Sequence, residues 1–135
     1  MSIRIVTIVA ALAGSTLALS GLDPQTVHAQ AESAQVSQGA QLYGQHCALC
    51  HGANGEGGAA FKTPIFGSGH QLSKFKTALG LFEYNQQLMP FDNPARLSDP
   101  EKLSVVAFQL RRSGLLAAGA SIDMGNAAAV SLQDK

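Results

Sequence analysis

The stretch Cys47-Ala48-Leu49-Cys50-His51 contains both cysteines of this 135-residue chain, with a histidine directly after the second. The spacing C-x-x-C-H is the signature of c-type haem attachment. In that chemistry each thiol adds across one haem vinyl group to form a thioether, and a single helical turn presents both sulfurs. The next residue then directs its imidazole to the iron as an axial ligand. We therefore predict that Cys47 and Cys50 bind one covalent haem c and that His51 ligates its iron.

Two other kinds of site use a Cys-x-x-Cys pair, namely a zinc site and a thioredoxin-like redox centre. A four-cysteine zinc site is excluded because Cys47 and Cys50 are the only cysteines. A Cys2His2 zinc site needs a second, well-spaced histidine, but His46 adjoins Cys47 and His70 has no partner at H-x3-5-H spacing. A thioredoxin fold requires alternating strands and helices, and few runs here are typical of strands. The pattern thus favours haem attachment.

Residues 1–29 have the features of a secretory signal peptide. Arg4 supplies the positive charge, Ile5 to Leu19 form the apolar region, and Val27-His28-Ala29 resembles an A-x-A cleavage site. The alternative is an uncleaved membrane anchor, but small and polar residues interrupt the apolar run, which is marginal against the ~20 residues of a spanning helix. We predict a cleaved signal, one domain over 30–135, a periplasmic location and no stable membrane insertion.

Composition narrows the class of protein further. The formal net charge at pH 7 is zero, and nothing in the charge pattern indicates a nucleic-acid partner. After removal of the signal, roughly a hundred residues remain, which on their own would bury only a small core. We therefore expect much of the packing to be made against the porphyrin.

Helical periodicity and capping signals predict the main elements. Apolar residues at helical spacing predict a first helix from about Ser37 into the haem motif, and a second helical region, in one or two pieces, over 72–88 with Thr77 as a cap. Ser98 and Glu101 form a capping-box pattern that opens the last long helix. The segment after residue 114 is expected to wrap over the core, with a short helical turn after Asn126.

The segment Gly39-Ala40-Gln41-Leu42-Tyr43, followed by the haem motif and Gly52, resembles the class I, mitochondrial-like family of c-type cytochromes. The resemblance extends over residues 36–112. It implies an all-α cytochrome c fold, with N- and C-terminal helices that cross near Gly39 and shorter helices and loops around one covalently bound haem. It places Phe108 against the N-terminal helix and makes 30–135 a cytochrome c domain.

The resemblance also implies further ligands. Residues 89–94, Met-Pro-Phe-Asp-Asn-Pro, are similar to the family's methionine-ligand loop, so Met89 is expected to be the sixth ligand of the iron. Two prolines stiffen this loop, whereas Met124 lies in a Gly/Ala-rich tail. His70, water or an open site remain alternatives. Pro64 lies where the family offers a proline carbonyl to the far nitrogen of the haem histidine, although an ordinary loop proline is the alternative.

These expectations define a monohaem one-electron carrier and not an enzyme. The implied partners are redox proteins, with a periplasmic dehydrogenase as donor and an oxidase or another cytochrome as acceptor. Lys62, Lys74 and Lys76 are candidates for the docking face, with solvated surface lysines as the alternative. The loop and the helix after it also resemble cytochromes that serve quinoprotein or sulfur-compound dehydrogenases, so a haem subunit of such a complex is a second hypothesis. An open-site haem enzyme or gas sensor is a third.

Overall fold

The computed structural model of the chain describes residues 32–67 and 69–133, so the predicted signal peptide over 1–29 lies outside the described residues. In chain order the helices are α1 (Ala34–His46), α2 (Ala48–His51), α3 (Ala78–Leu88) and α4 (Asp99–Arg112), with 3-10 turns at Leu72–Phe75 and Pro94–Arg96. The described segments contain no β-strand, only an isolated bridge between Thr77 and Ser131. The predicted all-α class is confirmed.

Helix α1 begins three residues earlier than the predicted start at Ser37. The side chain of Ser33 accepts a hydrogen bond from the backbone N–H of Val36 at 3.2 Å and so caps the helix. A serine in this role satisfies one of the N–H groups that the first turn leaves unpaired. The predicted start is too late because it rests on the spacing of apolar residues, whereas the capping residue Ser33 lies in the small, polar stretch before them.

Helices α1 and α4 cross in close contact at Gly39. A Cβ atom at this position would overlap the backbone carbonyl oxygen of Ser104 and lie 2.9 Å from the Cβ atom of Phe108. Beside the crossing, the rings of Tyr43 and Phe66 pack edge-on with centroids 5.0 Å apart, and Phe108 lies 5.4 Å from both. The predicted crossing at Gly39 and the predicted place of Phe108 are confirmed.

We expect Gly39→Ala to lower the free energy of unfolding by roughly 1–3 kcal/mol or more, because the new methyl group meets backbone that has no alternative rotamer. Gly44→Ala is the matched control on the same helix, since a Cβ at Gly44 meets nothing within 4 Å. Relief of the helix penalty of glycine should make that control neutral or more stable by up to ~1 kcal/mol. Urea denaturation of the two variants measures both values, and equal values would contradict the close crossing.

The segment after α4 packs over the core and closes the start of α3. Its buried side chains are Leu116, Ile122, Ala127 and Leu132. The first N–H groups of α3, at Ala78 and Leu79, donate to the carbonyls of Val130 and Ala127 at 2.9 and 3.1 Å. The predicted wrapping is thus confirmed. In place of the short helical turn predicted after Asn126, residues 124–129 form a run of turns.

The predicted caps of α3 and α4 are confirmed. Thr77 accepts a hydrogen bond from the N–H of Gly80 at 3.2 Å, while the N–H of Ser98 donates to the Glu101 carboxylate at 2.8 Å. The hydrogen bonds from Ser98 hold the pKa of Glu101 below its usual range. These caps fix where α3 and α4 begin, and α3 ends directly before Met89.

Candidate haem site

A cavity of about 730 Å³, with a mainly apolar lining, opens between the haem motif, the end of α3 and the side of α4. This volume lies in the range of pockets that hold small molecules and cofactors. The five predicted site residues all line it, and they are Cys47, Cys50, His51, Pro64 and Met89. The fold therefore brings together residues that lie up to 42 positions apart in the sequence.

The end of α1 and the single turn of α2 present the two thiols. The N–H of Cys47 still donates to the carbonyl of Tyr43 at 2.9 Å, and the N–H of His51 donates to the carbonyl of Cys47 at 3.0 Å. Both thiols are free, with Cys50 exposed and Cys47 half-buried. Burial, with a smaller contribution from Cys50, raises the pKa of Cys47 to about 11. Neither sulfur forms a disulfide, so both remain available for thioether formation.

A turn after the motif leads the chain away from the cavity. Gly52 ends α2 with a φ of 84°, a left-handed conformation that a residue with a Cβ rarely adopts. The hydroxyl of Tyr43 donates to the carbonyl of Gly52 at 2.7 Å. This bond fixes the end of the haem motif to α1. Because Tyr43 also packs against Phe108 of α4, the motif is connected to the crossing of the two helices.

His51 offers a neutral imidazole to the cavity. Burial lowers its pKa, and its ring lies 5.4 Å from that of Phe61 in an edge-on arrangement. Its Nδ1 atom is buried and makes no hydrogen bond to any described residue. The expected bond from this nitrogen to the carbonyl of Pro64 is therefore not formed in this structure, although Pro64 lines the same cavity. A neutral imidazole with uncommitted nitrogens is a suitable metal ligand.

Met89 follows the last residue of α3 and is half-buried. Its N–H donates to the carbonyl of Asn85 at 3.1 Å, so its backbone is anchored to the helix end. In the loop after it, the N–H of Asn93 donates to the carbonyl of Pro90 at 3.0 Å. Arg96 also forms an exposed ion pair with Asp92 at 2.6 Å. These contacts hold the loop that presents Met89.

The two alternative ligands lie elsewhere. Met124 is 57% exposed in the C-terminal segment and does not line the cavity. His70 does not line it either, and its Nδ1 atom accepts a hydrogen bond from the N–H of Leu72 at 3.2 Å. The zinc alternative gains no support, since residues 32–67 and 69–133 contain no group of three or more His, Cys, Asp or Glu side chains placed to hold a metal ion. Two thiols, an imidazole and a thioether around an apolar cavity fit haem c.

Gln109 is a cavity residue that the sequence analysis did not identify. It lies in α4, is 5% exposed, and its Oε1 atom has no hydrogen-bond partner among the described residues. The only sequence signal is a glutamine within the mainly apolar run Leu103–Leu110, a pattern that ordinary core packing also explains. Its amide is the one polar group that α4 contributes to the described lining.

A comparison with protein families matches residues 34–108 to the family described as "Cytochrome C oxidase, cbb3-type, subunit III". The chain belongs to this family of cytochrome c domains. The family membership confirms the predicted cytochrome c fold and the predicted cofactor, haem c with its iron. At this general level, electron transfer is the role of the domain.

Two solved structures are similar to this chain, and one of them supports the fold. Sulfane Dehydrogenase SoxCD from Paracoccus pantotrophus matches with a TM-score of 0.61 and 21% identity over 90% of this chain and 67% of that chain. Thiosulfate dehydrogenase (TsdBA) from Marichromatium purpuratum matches with a TM-score of 0.47 and 30% identity over 59% of this chain and 18% of that chain. A comparison with curated protein sequences finds no significant match. The SoxCD likeness agrees with the cytochrome c fold.

Within the described residues, none of the helices of this cytochrome domain combines the length and the apolar character needed to cross a bilayer.

Proposed function

We propose that this cytochrome c domain is a periplasmic monohaem electron carrier, with Cys47 and Cys50 bonded to the haem and His51 and Met89 as the axial ligands. The supporting observation is that one cavity of suitable volume is lined by all four side chains. Haem iron supplies one-electron chemistry when it is bound. The chain holds the cofactor, excludes water from it and determines which redox state is favoured.

The two proposed axial ligands determine the redox behaviour. His51 is kept neutral by burial, which leaves a lone pair for the metal. A methionine thioether in the other position favours the ferrous state and raises the reduction potential. If both axial positions are filled by this chain, none is left for a substrate. The proposal is therefore a carrier without enzymatic activity of its own.

Pro64 is proposed to accept a hydrogen bond from His51 Nδ1 once the imidazole is fixed by the iron. Two observations support it: Nδ1 is buried without another partner among the described residues, and Pro64 lines the same cavity. Such a bond orients a metal-bound imidazole and increases its basicity.

The proposed partners are redox proteins, a periplasmic dehydrogenase as donor and an oxidase or another cytochrome as acceptor. Leu49, between the two thiols, is 84% exposed, and Phe91, in the loop after Met89, is 86% exposed. Exposed apolar side chains beside a cofactor suit a small, transient redox contact. Location in the periplasm depends on the predicted signal over 1–29, outside the described residues.

A second candidate is a stable haem subunit of a dehydrogenase that oxidises sulfur compounds or carries a quinone cofactor. The loop over residues 89–94 and the helix after it support this candidate, because they resemble cytochromes that serve such dehydrogenases. Purification from the native periplasm distinguishes the two functions. A carrier elutes alone at the size of the domain, whereas a subunit elutes with a dehydrogenase at fixed stoichiometry.

The experiment that tests the proposal is the absorption spectrum of the purified haem protein, oxidised and reduced, with and without carbon monoxide. We expect a low-spin spectrum with the weak far-red band of a sulfur–iron bond, unchanged by carbon monoxide, because Met89 fills the sixth position. A high-spin spectrum, or rapid binding of carbon monoxide by the reduced protein, would contradict Met89 ligation. That result would favour the haem enzyme or gas sensor.

A further inference from the structure

Lys102 is a buried cation that the haem site does not use directly. It lies in α4, is 3% exposed and does not line the cavity. Its Nζ atom donates a hydrogen bond to the backbone carbonyl of Gln86 at 2.8 Å. A lysine is seldom buried to this extent, because desolvation of the ammonium group is costly unless a partner compensates. The structural role of Lys102 therefore follows from its hydrogen-bond partner, the carbonyl of Gln86.

The partner carbonyl lies in the last turn of α3. The final carbonyls of a helix have no N–H of their own helix to accept from, and they form the negative end of the helix dipole. A cation placed there satisfies an unpaired acceptor and interacts favourably with the dipole. Lys102 does both for Gln86, three residues before Met89.

A second contact joins the same two helix ends. The side-chain amide of Gln86 donates to the carboxylate of Asp99 at 3.0 Å, in the first turn of α4. Asp99 is also the negative charge that acts on Lys102, and it partly offsets the lowering of the lysine pKa by burial. The last turn of α3 is thus held to the start of α4 through both the backbone and the side chain of one residue.

We propose that Lys102 is a positioning residue for Met89: it fixes the end of α3 to α4 and so keeps the thioether sulfur within reach of the iron. The inference rests on the proposed ligation by Met89. Helix α4 packs against α1, which leads into the haem motif, so Lys102 joins the end of α3 to the same framework that carries His51.

The physical reason concerns local opening. A thioether binds iron weakly, so the time that Met89 spends detached depends on how easily the end of α3 and its loop move away. Segments of a folded protein open locally with free energies below that of global unfolding. Without the ammonium group, the Gln86 carbonyl loses a charge-assisted bond, which raises the population of the open form by about tenfold or more.

The test uses the haem-loaded protein with Lys102→Met, which keeps a long unbranched side chain but removes the charge. Glu83→Gln, which also removes a charge, is the control, because Glu83 lies in α3, is exposed and does not line the cavity. Two quantities are measured: the affinity of the oxidised protein for imidazole, which replaces a detached Met89, and the urea dependence of the far-red band and of helix content. We expect Lys102→Met to bind imidazole about tenfold more tightly and to lose the band at a lower urea concentration than its helices. The control should match the wild type.

Each other outcome is decisive. Unchanged imidazole affinity in a folded Lys102→Met protein would overturn the positioning role. Loss of the far-red band and of the helices at the same lowered urea concentration would also overturn it, because that result shows that Lys102 only stabilises the whole domain. Absence of the band in the wild type would overturn Met89 ligation itself, and the positioning role with it. If Lys102→Met fails to fold, Lys102→Gln replaces the ammonium group that donates to the Gln86 carbonyl with a neutral amide on a shorter side chain, and we expect a roughly threefold gain in imidazole affinity. No gain in that variant would overturn the proposal.

Discussion

Replacement of both Cys47 and Cys50 by alanine is expected to abolish covalent haem retention. These residues are the only cysteines in the chain, so no other side chain can form a thioether to a vinyl group. The haem can then be held only by its axial ligands and by packing in the cavity. Acid–acetone extraction should remove it completely, and a denaturing gel stained for haem should show no band. Each single variant keeps one thioether and should retain haem at a reduced yield.

Leu49→Ala is the control for this experiment, because Leu49 lies between the two cysteines and is 84% exposed. It changes the same helical turn without touching a thiol, and we expect full haem attachment. Haem that survives extraction in the double cysteine variant would contradict the attachment proposed here. Loss of haem in Leu49→Ala would show that the conformation of the turn, and not the thiols alone, limits attachment.

Met89→Ala is expected to open the sixth position of the iron and to lower the reduction potential by on the order of a tenth of a volt, within the wide range that axial ligands set. The thioether stabilises the ferrous state, so its loss favours oxidation. The variant should lose the far-red band and bind carbon monoxide when reduced. Potentiometric titration and the carbon monoxide difference spectrum measure the two effects.

Met124→Ala is the matched control, since Met124 is more than half exposed and lies outside the cavity. Its spectrum and potential should equal those of the wild type. An unchanged potential in Met89→Ala, with no carbon monoxide binding, would assign the sixth position to another residue. A changed spectrum in Met124→Ala would identify that residue.

Features with local causes could be predicted from the sequence. Thr77 accepts from the N–H of Gly80, and the N–H of Ser98 donates to Glu101. Both caps join groups three residues apart, so they follow from spacing alone. The crossing at Gly39 is a contact between distant helices. It could be predicted only because the resemblance to class I cytochromes supplied the partner helix, and helical periodicity by itself gives no crossing point.

Contacts between distant segments were missed where no resemblance marked them. The sequence around Lys102 looks like a solvated lysine near a helix start, and nothing near it indicates a bond to Gln86 in another helix. Gln109 was missed for a similar reason. The apolar pattern of α4 predicts which residues are buried, but it does not predict which of them line the cavity. In both cases the decisive fact is which surface a neighbouring helix covers, and this depends on tertiary packing.

The crossing of α1 and α4 also has a consequence for the order of events during synthesis. Gly39 packs against Ser104, and the ribosome adds Ser104 to the growing chain 54 residues after Cys50. At ~5–20 residues per second this interval amounts to several seconds. Throughout it the domain cannot close, since the helix that covers α1 does not yet exist. Cys47 and Cys50 are therefore synthesised on a segment that cannot yet pack against α4, so the crossing cannot restrict access to the two thiols until Ser104 has been added.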